Sequence, residues 1–248
     1  MDEPSVLTDE IGQTEVLRGA LAELDRVDGE LKRRRKESGI DYFIPNLPQL
    51  RALRSPARHV AVVAGNRVGK STIGAVFLSA HLSHKYPSCT CHPGWFAPNK
   101  RYSDTVKAVV VATSFSKIEQ VIEPKLMTYL PRDWIAKINR TPQGYLRRLV
   151  GKDGSVVDIL TNEMDRMEFE SQDWDIGWID EPTSRDRYHA ILRGMLDRQG
   201  SLILTFTPLV EPWMKEELVD KADGRSIDVI QAVSYDNTED IHGNKILP

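Results

Sequence analysis

The chain has 248 residues, of which 40% are hydrophobic and 28% are charged, and its formal net charge is −3 at pH 7. These values are typical of a globular protein with a core of its own. No apolar run approaches the ~20 residues of a membrane span, and the acidic start MDEPSVLTDEIGQ is unlike a signal peptide. Because the net charge is slightly negative, any contact with nucleic acid must come from local basic patches.

The first predicted element is a helix over residues 6–37, where apolar side chains recur at roughly helical spacing. It ends in the basic run KRRRKESG, which we interpret as a solvated helix end, with contact to DNA phosphates as the alternative. A segment with two prolines follows, and a short second helix is predicted at about 47–55.

From residue 59 onward, apolar β-rich runs alternate with helical stretches. The predicted strands cover residues 59–65, 107–114, 155–161, 175–181, 201–207 and 227–234, and the predicted helices cover 70–84, 116–130, 185–199 and 211–221. Continuous Val and Ile runs suit strands that are covered on both faces, and alternation with helices favours a parallel sheet. We therefore predict a three-layer α/β fold with a mostly parallel central sheet, formed by a helical extension at residues 1–40 and one domain at 41–248.

Three other groups of residues are expected to have structural roles. Cys89 and Cys91, next to His92, form a single closely spaced pair, whereas a zinc site usually needs two separated pairs, so a plain loop is predicted. The basic stretch 137–152 is predicted to be a solvated hairpin, with contact to DNA or to an adjacent subunit as the alternative. The tryptophans are expected in the core: Trp95, Trp134, Trp174, Trp178 and Trp213.

The stretch AGNRVGKS, residues 64–71, lies between a predicted buried strand and a predicted helix and fits a phosphate-binding loop, with Ala64 in place of the first glycine. Backbone N–H groups of such a loop curl around a β-phosphate, which requires a permissive backbone at Gly69. Lys70 would bridge the β- and γ-phosphates, and the Ser71 hydroxyl would coordinate Mg²⁺. The predicted nucleotide-binding residues of this stretch are Ala64, Gly65, Asn66, Arg67, Val68, Gly69, Lys70, Ser71 and Thr72.

The apolar strand within WDIGWIDEPT ends in Asp180 and Glu181, about 110 residues after the loop. Asp180 is predicted to hold Mg²⁺, directly or through water, and Glu181 is predicted to act as general base toward the attacking water. The alternative is an acidic strand end that caps the next helix. The stretch PNKRY has Tyr102 where the Asn-Lys-x-Asp guanine reader of a GTPase has Asp, so ATP is expected rather than GTP.

Six stretches in this order resemble the large terminase subunit of tailed phages, the ATPase that pumps DNA into proheads, over about residues 40–236. They are YFIPNLPQLRAL, AGNRVGKS, HLSHKYPSCTCHPGWFAPNKRYSDTVKAVVVATS, MEFESQDWDIGWIDEP, LTFTPL and SYDN. The resemblance implies that Gln49 reads adenine, with a helix-start role after Pro48 as the alternative. It also implies that Thr205 and Thr207 couple hydrolysis to conformational change, although threonine is also simply a good strand former.

The loop arginine departs from the pattern of that family. Several terminases have it four residues before the lysine, but here that position is Asn66, and Arg67 lies three residues before Lys70. The resemblance implies that Arg67 senses the γ-phosphate in cis, and we predict this role. Two alternatives remain: Arg67 braces the loop against a carboxylate, or a neighbouring subunit supplies an arginine in trans.

The resemblance implies an Mg²⁺-dependent ATPase, the motor domain of a viral DNA-packaging terminase that drives double-stranded DNA into the prohead. The implied partners are DNA, the portal protein and the small terminase subunit. The expected state is a homo-oligomeric ring on the prohead and a monomer when isolated, in the host cytoplasm and without membrane contact. The alternatives are another nucleic-acid translocase such as a helicase, which needs a second motor domain, and a nucleotide-gated binding module without turnover, which Glu181 disfavours.

Full-length large terminases resemble this chain over their first part and carry a C-terminal nuclease domain in addition. The chain stops eleven residues after SYDN, and no carboxylate cluster suited to a two-metal nuclease is left over. We therefore expect an isolated ATPase domain without nuclease activity.

Overall fold

The computed structural model describes most of the chain between residues 5 and 246, with side chains from residue 15 onward. The described ranges are 5–87, 96, 102, 104–170, 172–208 and 211–246. Several residues named in the sequence predictions lie outside these ranges: Cys89, Cys91, His92, Trp95 and Leu209.

Helices and strands alternate along the chain as the hydrophobic pattern predicts. The α-helices are α1 (Ser5–Glu37), α2 (Leu47–Arg54), α3 (Lys70–Ser83), α4 (Phe115–Lys117), α5 (Glu123–Tyr129), α6 (Arg185–Leu196) and α7 (Pro212–Met214). A π-helical turn at Ile118–Ile122 joins α4 to α5, another at Lys215–Val219 extends α7, and 3₁₀ turns cover Gly39–Tyr42, Arg166–Phe169 and Ser234–Asn237. The strands are β1 (His59–Ala64), β2 (Lys107–Ala112), β3 (Ile135–Arg140), β4 (Leu146–Gly151), β5 (Val156–Thr161), β6 (Ile176–Asp180), β7 (Ser201–Phe206) and β8 (Ile227–Ala232).

The eight strands of the described residues form one sheet in the order β3-β4-β5-β2-β6-β7-β1-β8. The strands from β5 to β8 in that order pair in parallel, whereas β3 and β4 add an antiparallel hairpin at one edge. The predicted mostly parallel sheet is confirmed, and the 137–152 stretch forms a hairpin that extends it. Because β2, β6, β7 and β1 are neighbours, the loops that follow them meet at one edge of the sheet.

Helices cover both faces of the sheet, which gives the three predicted layers. One core cluster packs α2, α3 and α5 against strand side chains such as Val62, Val110 and Trp178. The other packs α6 and α7 against the alternate strand positions, such as Ala61 and Val109. Neighbouring strand residues thus point to opposite faces and both are buried, which explains the continuous apolar runs of the sequence. The described tryptophans are buried as predicted: Trp134, Trp174, Trp178 and Trp213.

Helix α1 confirms the predicted N-terminal helix. The C-terminal end of this helix contacts the sheet domain. There, Nε of Arg132 donates to the carbonyl oxygen of Lys36 at 2.9 Å. Within the basic run, Arg33 and Arg34 pair with Glu30 on the same helix, as expected of a solvated helix end. A helix with both the length and the apolar sequence needed to traverse a bilayer is absent from the described ranges.

Glycine at position 74 allows α3 to lie directly against β6. A Cβ atom at Gly74 would be 2.1 Å from Nε1 of Trp178, whose side chain is fully buried. Helix α3 begins at the predicted phosphate loop, and β6 ends at Asp180. This close contact therefore sets the separation between the two halves of the predicted site.

We expect Gly74→Ala to lower the free energy of unfolding by about 1–2 kcal/mol, because overpacking a closed core costs roughly 1–3 kcal/mol and outweighs the gain of up to ~1 kcal/mol that alanine brings to a helix. The matched control is Gly29→Ala in α1, where a Cβ atom would meet nothing within 4 Å. Urea unfolding followed by tryptophan fluorescence measures both variants. A Gly74→Ala protein as stable as the parent chain would show that α3 and β6 do not pack this closely.

Candidate nucleotide-binding site

The predicted site residues converge at the carboxyl edge of the central strands. The loop 65–69 follows β1, Asp180 ends β6, and Thr207 follows β7, and these three strands are neighbours in the sheet. The register pairs Asp180 with Thr205 across β6 and β7. Residues from three distant parts of the sequence therefore meet at the edge where open α/β sheets bind ligands.

The loop between β1 and α3 has two residues with left-handed backbones, Arg67 with a φ of 66° and Gly69 with a φ of 84°. Glycine is needed at position 69 for a second reason, because a Cβ atom there would lie 2.4 Å from Nε2 of Gln49. Helix α3 starts immediately afterwards at Lys70, so its unpaired N–H groups and the positive end of its dipole adjoin the loop. This is the local backbone that a phosphate-binding loop needs.

The SYDN stretch at 234–237 braces the loop from the far end of the chain. Ser234 donates its hydroxyl to the carbonyl oxygen of Asn66 at 3.0 Å, and Asn237 donates its side-chain amide to that of Arg67 at 2.5 Å. The sequence identifies SYDN only through its resemblance to the end of a terminase ATPase domain. The tertiary structure shows that it holds the loop in place.

Gln49 lies at the start of α2 and against the loop. Its side-chain oxygen accepts from the Asn46 N–H at 3.0 Å, and Oδ1 of Asn46 accepts from the Gln49 N–H at 2.9 Å, which is a reciprocal cap of the helix. Nε2 of Gln49 donates to the carbonyl oxygen of Gly69 at 3.2 Å. Gln49 thus has the helix-start role, and recognition of adenine by the same side chain remains a prediction.

A cleft of about 460 Å³ opens beside Gln49 and the loop. Phe43 and Tyr129 form part of its wall, and their rings meet edge to face at 5.6 Å between centroids. Gly69 and Thr72 line the end nearest the loop. A cleft of this size with an aromatic wall suits the base of a nucleotide.

The Lys70 ammonium lies at the centre of the site, with 7% of the side chain exposed. It donates to the carbonyl oxygens of Ala64 at 2.7 Å and Gly65 at 3.1 Å and to the Thr207 hydroxyl at 2.9 Å. A carboxylate oxygen of Glu181 lies 3.8 Å away. Burial lowers the pKa of Lys70, and the negative charge of Glu181 opposes that shift. A desolvated ammonium beside the loop is well suited to bind a phosphate.

Glu181 has a strained backbone and an oriented carboxylate. Its φ of 68° is a left-handed value, which costs a non-glycine residue on the order of 1–3 kcal/mol. Its N–H donates to the carbonyl oxygen of Thr205 at 2.7 Å, and its carboxylate accepts from the Thr207 N–H at 3.1 Å and the Thr207 hydroxyl at 3.2 Å. Helix α6 is capped by Ser184 instead, so the alternative reading of this acidic strand end as a helix cap is wrong.

Asp180 is buried at the end of β6. The Thr205 hydroxyl donates to Oδ1 of Asp180 at 2.8 Å, and Thr205 in turn accepts from Nε1 of Trp178 at 2.9 Å. No hydrogen-bond donor of the described chain reaches Oδ2, although the Lys117 ammonium is 3.7 Å away. Burial raises the pKa of Asp180, and the hydrogen bond from Thr205 and the charge of Lys117 oppose that shift.

The residues present at this edge fit a magnesium ion. Oδ2 of Asp180 is a buried carboxylate oxygen without a hydrogen bond from the described residues, and such hard oxygen donors are what Mg²⁺ prefers. The Ser71 side chain lies near enough to Asp180 to lower the pKa of its carboxyl group. The two predicted metal ligands are thus neighbours. Neither here nor elsewhere in the described ranges do three or more His, Cys, Asp or Glu side chains form a metal-binding group.

The arginines considered for the γ-phosphate differ in whether their side chains are paired with a carboxylate. Arg67, the predicted γ-phosphate sensor, is exposed, and its guanidinium forms no hydrogen bond or ion pair with the residues that the structure describes. Among the described residues, no carboxylate pairs with Arg67 as the bracing alternative requires. The arginines of the 137–152 hairpin are all paired: Arg140 with Glu123, Arg147 with Glu168 and Arg148 with Asp158.

Two lysines that the sequence did not single out also reach the site. Lys117 follows β2, and because β2 pairs with β6, its helix starts at the same sheet edge as Asp180. Lys125, in the next helix, donates its ammonium to the Thr72 hydroxyl at 2.8 Å. The one sequence feature that could have indicated them is their position after the carboxyl end of a buried strand. Many solvated lysines share that position, so it does not single these two out.

Comparison with known proteins gives matches among solved structures. No protein-family model and no curated protein matches the chain. The ATPase domain of the Thermus phage P74-26 large terminase matches with 16% identity and a TM-score of 0.59, over 80% of this chain and 84% of that one. A large terminase from a thermophilic bacteriophage, in complex with ADP, matches with 13% identity and a TM-score of 0.56, over 77% and 46% of the respective chains. The HK97 bacteriophage large terminase matches with 15% identity and a TM-score of 0.50, over 79% and 43%.

Because the sequence identities are low, these matches show that the folds are similar. The chain spans most of the P74-26 ATPase domain but less than half of the ADP-bound terminase and of the HK97 protein. The parallel sheet, the loop after β1 and the two helical layers make up a P-loop NTPase architecture with an N-terminal helix. The described chain thus has the fold of the ATPase domains of large terminases.

Proposed function

We propose that this chain is the ATP-hydrolysing motor domain of a viral DNA-packaging terminase. The observation that carries the proposal is the convergence of Lys70, Asp180 and Glu181 at the loop after β1, joined by the Thr207 hydroxyl between Lys70 and Glu181. The fold supports it, since structures that share it include a terminase ATPase domain and a terminase in complex with ADP.

In the proposed mechanism, ATP lies with its phosphates on the loop and its base in the cleft beside Gln49. Lys70 compensates the charge of the β- and γ-phosphates, and the amino end of α3 adds N–H donors. Ser71 and Asp180 would hold Mg²⁺, which would supply positive charge to offset that of the phosphates. Glu181, oriented through Thr207, holds the attacking water and takes its proton.

Thr205 and Thr207 link this chemistry to the sheet. Thr207 accepts from Lys70 and donates to Glu181, and Thr205 donates to Asp180. The two hydroxyls therefore contact Lys70, Glu181 and Asp180, so a change at the γ-phosphate would reach the end of β7. We propose that this link drives the conformational change that moves double-stranded DNA, in a homo-oligomeric ring with the portal protein and the small terminase subunit in the infected host cell.

The test is ATP hydrolysis by the purified chain, measured as phosphate release with Mg²⁺ and with EDTA. The proposal expects slow hydrolysis that requires Mg²⁺. A binding module without turnover would bind ATP but release no phosphate. A chain that neither binds nor hydrolyses ATP would refute the proposal.

Arg67→Ala is expected to lower the hydrolysis rate by ~10³-fold, the contribution of an arginine finger, while ADP affinity hardly changes. The physical reason is that the exposed guanidinium has no acceptor among the described residues and can contact a γ-phosphate. ADP has no γ-phosphate, so its binding does not depend on that contact. ADP affinity, ATP affinity and the maximal rate are measured separately. The control is Arg225→Ala, at the exposed turn before β8 on the opposite edge of the sheet.

The bracing alternative for Arg67 predicts a different pattern. ADP and ATP affinities would weaken together in Arg67→Ala, and the rate per bound ATP would change little. That result would remove Arg67 from the catalytic machinery and direct the search to an arginine from a neighbouring subunit.

A further inference from the structure

A second lysine stands at the amino end of α3, beside the proposed phosphate site. The Lys125 ammonium donates to the Thr72 hydroxyl at 2.8 Å. Thr72 is the third residue of α3 and lines the cleft that Gln49 also lines. Lys125 therefore contacts a residue that both follows the loop and lines the cleft proposed for the base.

The charge of Lys125 is not compensated by the residues that the structure describes. None of their carboxylates forms an ion pair with it, and burial lowers its pKa without an opposing negative charge. The amino end of α3 adds the positive end of a helix dipole. A partly desolvated ammonium whose described acceptor is a neutral hydroxyl, next to a positive helix end, would be stabilised by an anion.

The order of side chains along the segment from α4 to α5 indicates which anion this is. Lys117 lies 3.7 Å from Asp180, at the proposed metal end. Lys125 lies at Thr72, and Tyr129, one helical turn later, lines the cleft. The groups of a nucleotide follow one another in a matching order: the β- and γ-phosphates, then the α-phosphate, then the base.

We propose that Lys125 binds the α-phosphate of the nucleotide. The inference rests on the proposed function, which places a nucleotide in this site. The two lysines would bind different phosphates: Lys70 binds the β- and γ-phosphates, and Lys125 binds the phosphate nearest the sugar. It follows that Lys125 contributes to binding of any adenine nucleotide with a 5′-phosphate, including the monophosphate.

The experiment compares Lys125→Gln with the unaltered chain. Glutamine keeps a hydrogen-bond donor toward Thr72 but removes the charge. The matched control is Lys107→Gln, at the exposed start of β2 on the opposite edge of the sheet. Affinities for ADP, AMP and adenosine are measured by competition against a fluorescent ADP analogue, with EDTA present so that no metal contributes. Thermal unfolding without nucleotide checks that each variant is folded.

We expect Lys125→Gln to weaken ADP and AMP binding each by about ten- to a hundredfold, the usual effect of losing a charge-assisted hydrogen bond, and to leave adenosine binding unchanged. Lys107→Gln should match the unaltered chain with all three ligands. If ADP binds Lys125→Gln as tightly as it binds Lys107→Gln, the inference fails. It also fails if adenosine weakens as much as ADP, because Lys125 would then only tether α5 to α3.

The failure of this inference can be told apart from the failure of the proposed function by adding Lys70→Ala to the series. If Lys70→Ala weakens ADP binding and Lys125→Gln does not, the nucleotide site stands and the role of Lys125 alone is refuted. If the unaltered chain binds no adenine nucleotide, both proposals are refuted. Weakening of AMP by Lys125→Gln but not by Lys70→Ala would support the division of work between the two lysines.

Discussion

Replacing Lys70 with alanine is expected to abolish ATP hydrolysis and to weaken ATP and ADP binding together. The Lys70 ammonium is buried beside the loop and held by the carbonyl oxygens of Ala64 and Gly65 and by Thr207. Each charge-assisted hydrogen bond to a phosphate contributes roughly 1.5–3 kcal/mol, so its loss should weaken binding by about ten- to a hundredfold or more. The backbone N–H groups of the loop cannot replace a mobile positive charge when charge shifts toward the leaving group.

Phosphate release and ADP titration measure the two effects of Lys70→Ala. Lys107→Ala is the matched control, because Lys107 is exposed at the far end of β2 and its replacement removes the same charge from the chain. Urea unfolding establishes that both variants are folded. Hydrolysis by Lys70→Ala at the rate of the unaltered chain would show that the loop after β1 is not the phosphate site.

Glu181→Gln is expected to keep ATP bound and to lower its hydrolysis by about 10²–10⁴-fold, the usual cost of a missing general base. The amide is nearly isosteric with the carboxylate. Its oxygen can still accept from the Thr207 N–H, and its NH₂ group can donate to the Thr207 hydroxyl, which reverses the direction of that bond but keeps the contact. The amide cannot accept a proton from water, so the effect should fall on the chemical step.

Single-turnover hydrolysis and ATP binding together test this prediction for Glu181. Glu163→Gln is the control, since Glu163 is an exposed carboxylate at the same edge of the sheet that accepts from the Phe115 N–H. A Glu181→Gln variant that binds ATP and hydrolyses it within a few-fold of the unaltered rate would mean that another carboxylate is the base. A variant that loses ATP binding as well would place Glu181 among the binding groups instead.

Much of the fold can be predicted from the chain because hydrophobic periodicity records local burial. The pattern predicts a helix at 70–84 and a strand at 175–181, and the structure has α3 at Lys70–Ser83 and β6 at Ile176–Asp180. The boundaries agree to within a residue or two because glycine at the loop and acidic residues at the strand end interrupt the apolar runs. The sequence also predicts the antiparallel hairpin β3–β4, but nothing local in it indicates that it pairs with β5.

The proximity of Lys70, Asp180 and Glu181 also follows from sequence reasoning. A loop that follows one buried parallel strand and an acidic pair that ends another must lie at the same edge of a sheet, because parallel strands share their carboxyl ends. Local sequence patterns are therefore enough to predict the fold class, the phosphate-type loop and the two acidic residues of the candidate site. Each of these depends on a short run of residues whose spacing records its own backbone and burial.

The way in which those parts are held together depends on contacts between residues that are far apart in the sequence. Asn46 donates to Asn237 across 191 positions of sequence, and Thr207 links Lys70 to Glu181 through one hydroxyl. Lys125 lies on helix α5 and donates to Thr72 on helix α3. The hydrophobic periodicity of α5 does not indicate which residue its lysine contacts. Such contacts depend on strand order, register and the packing of one segment against another, and a side chain's own neighbours in the sequence carry no record of them.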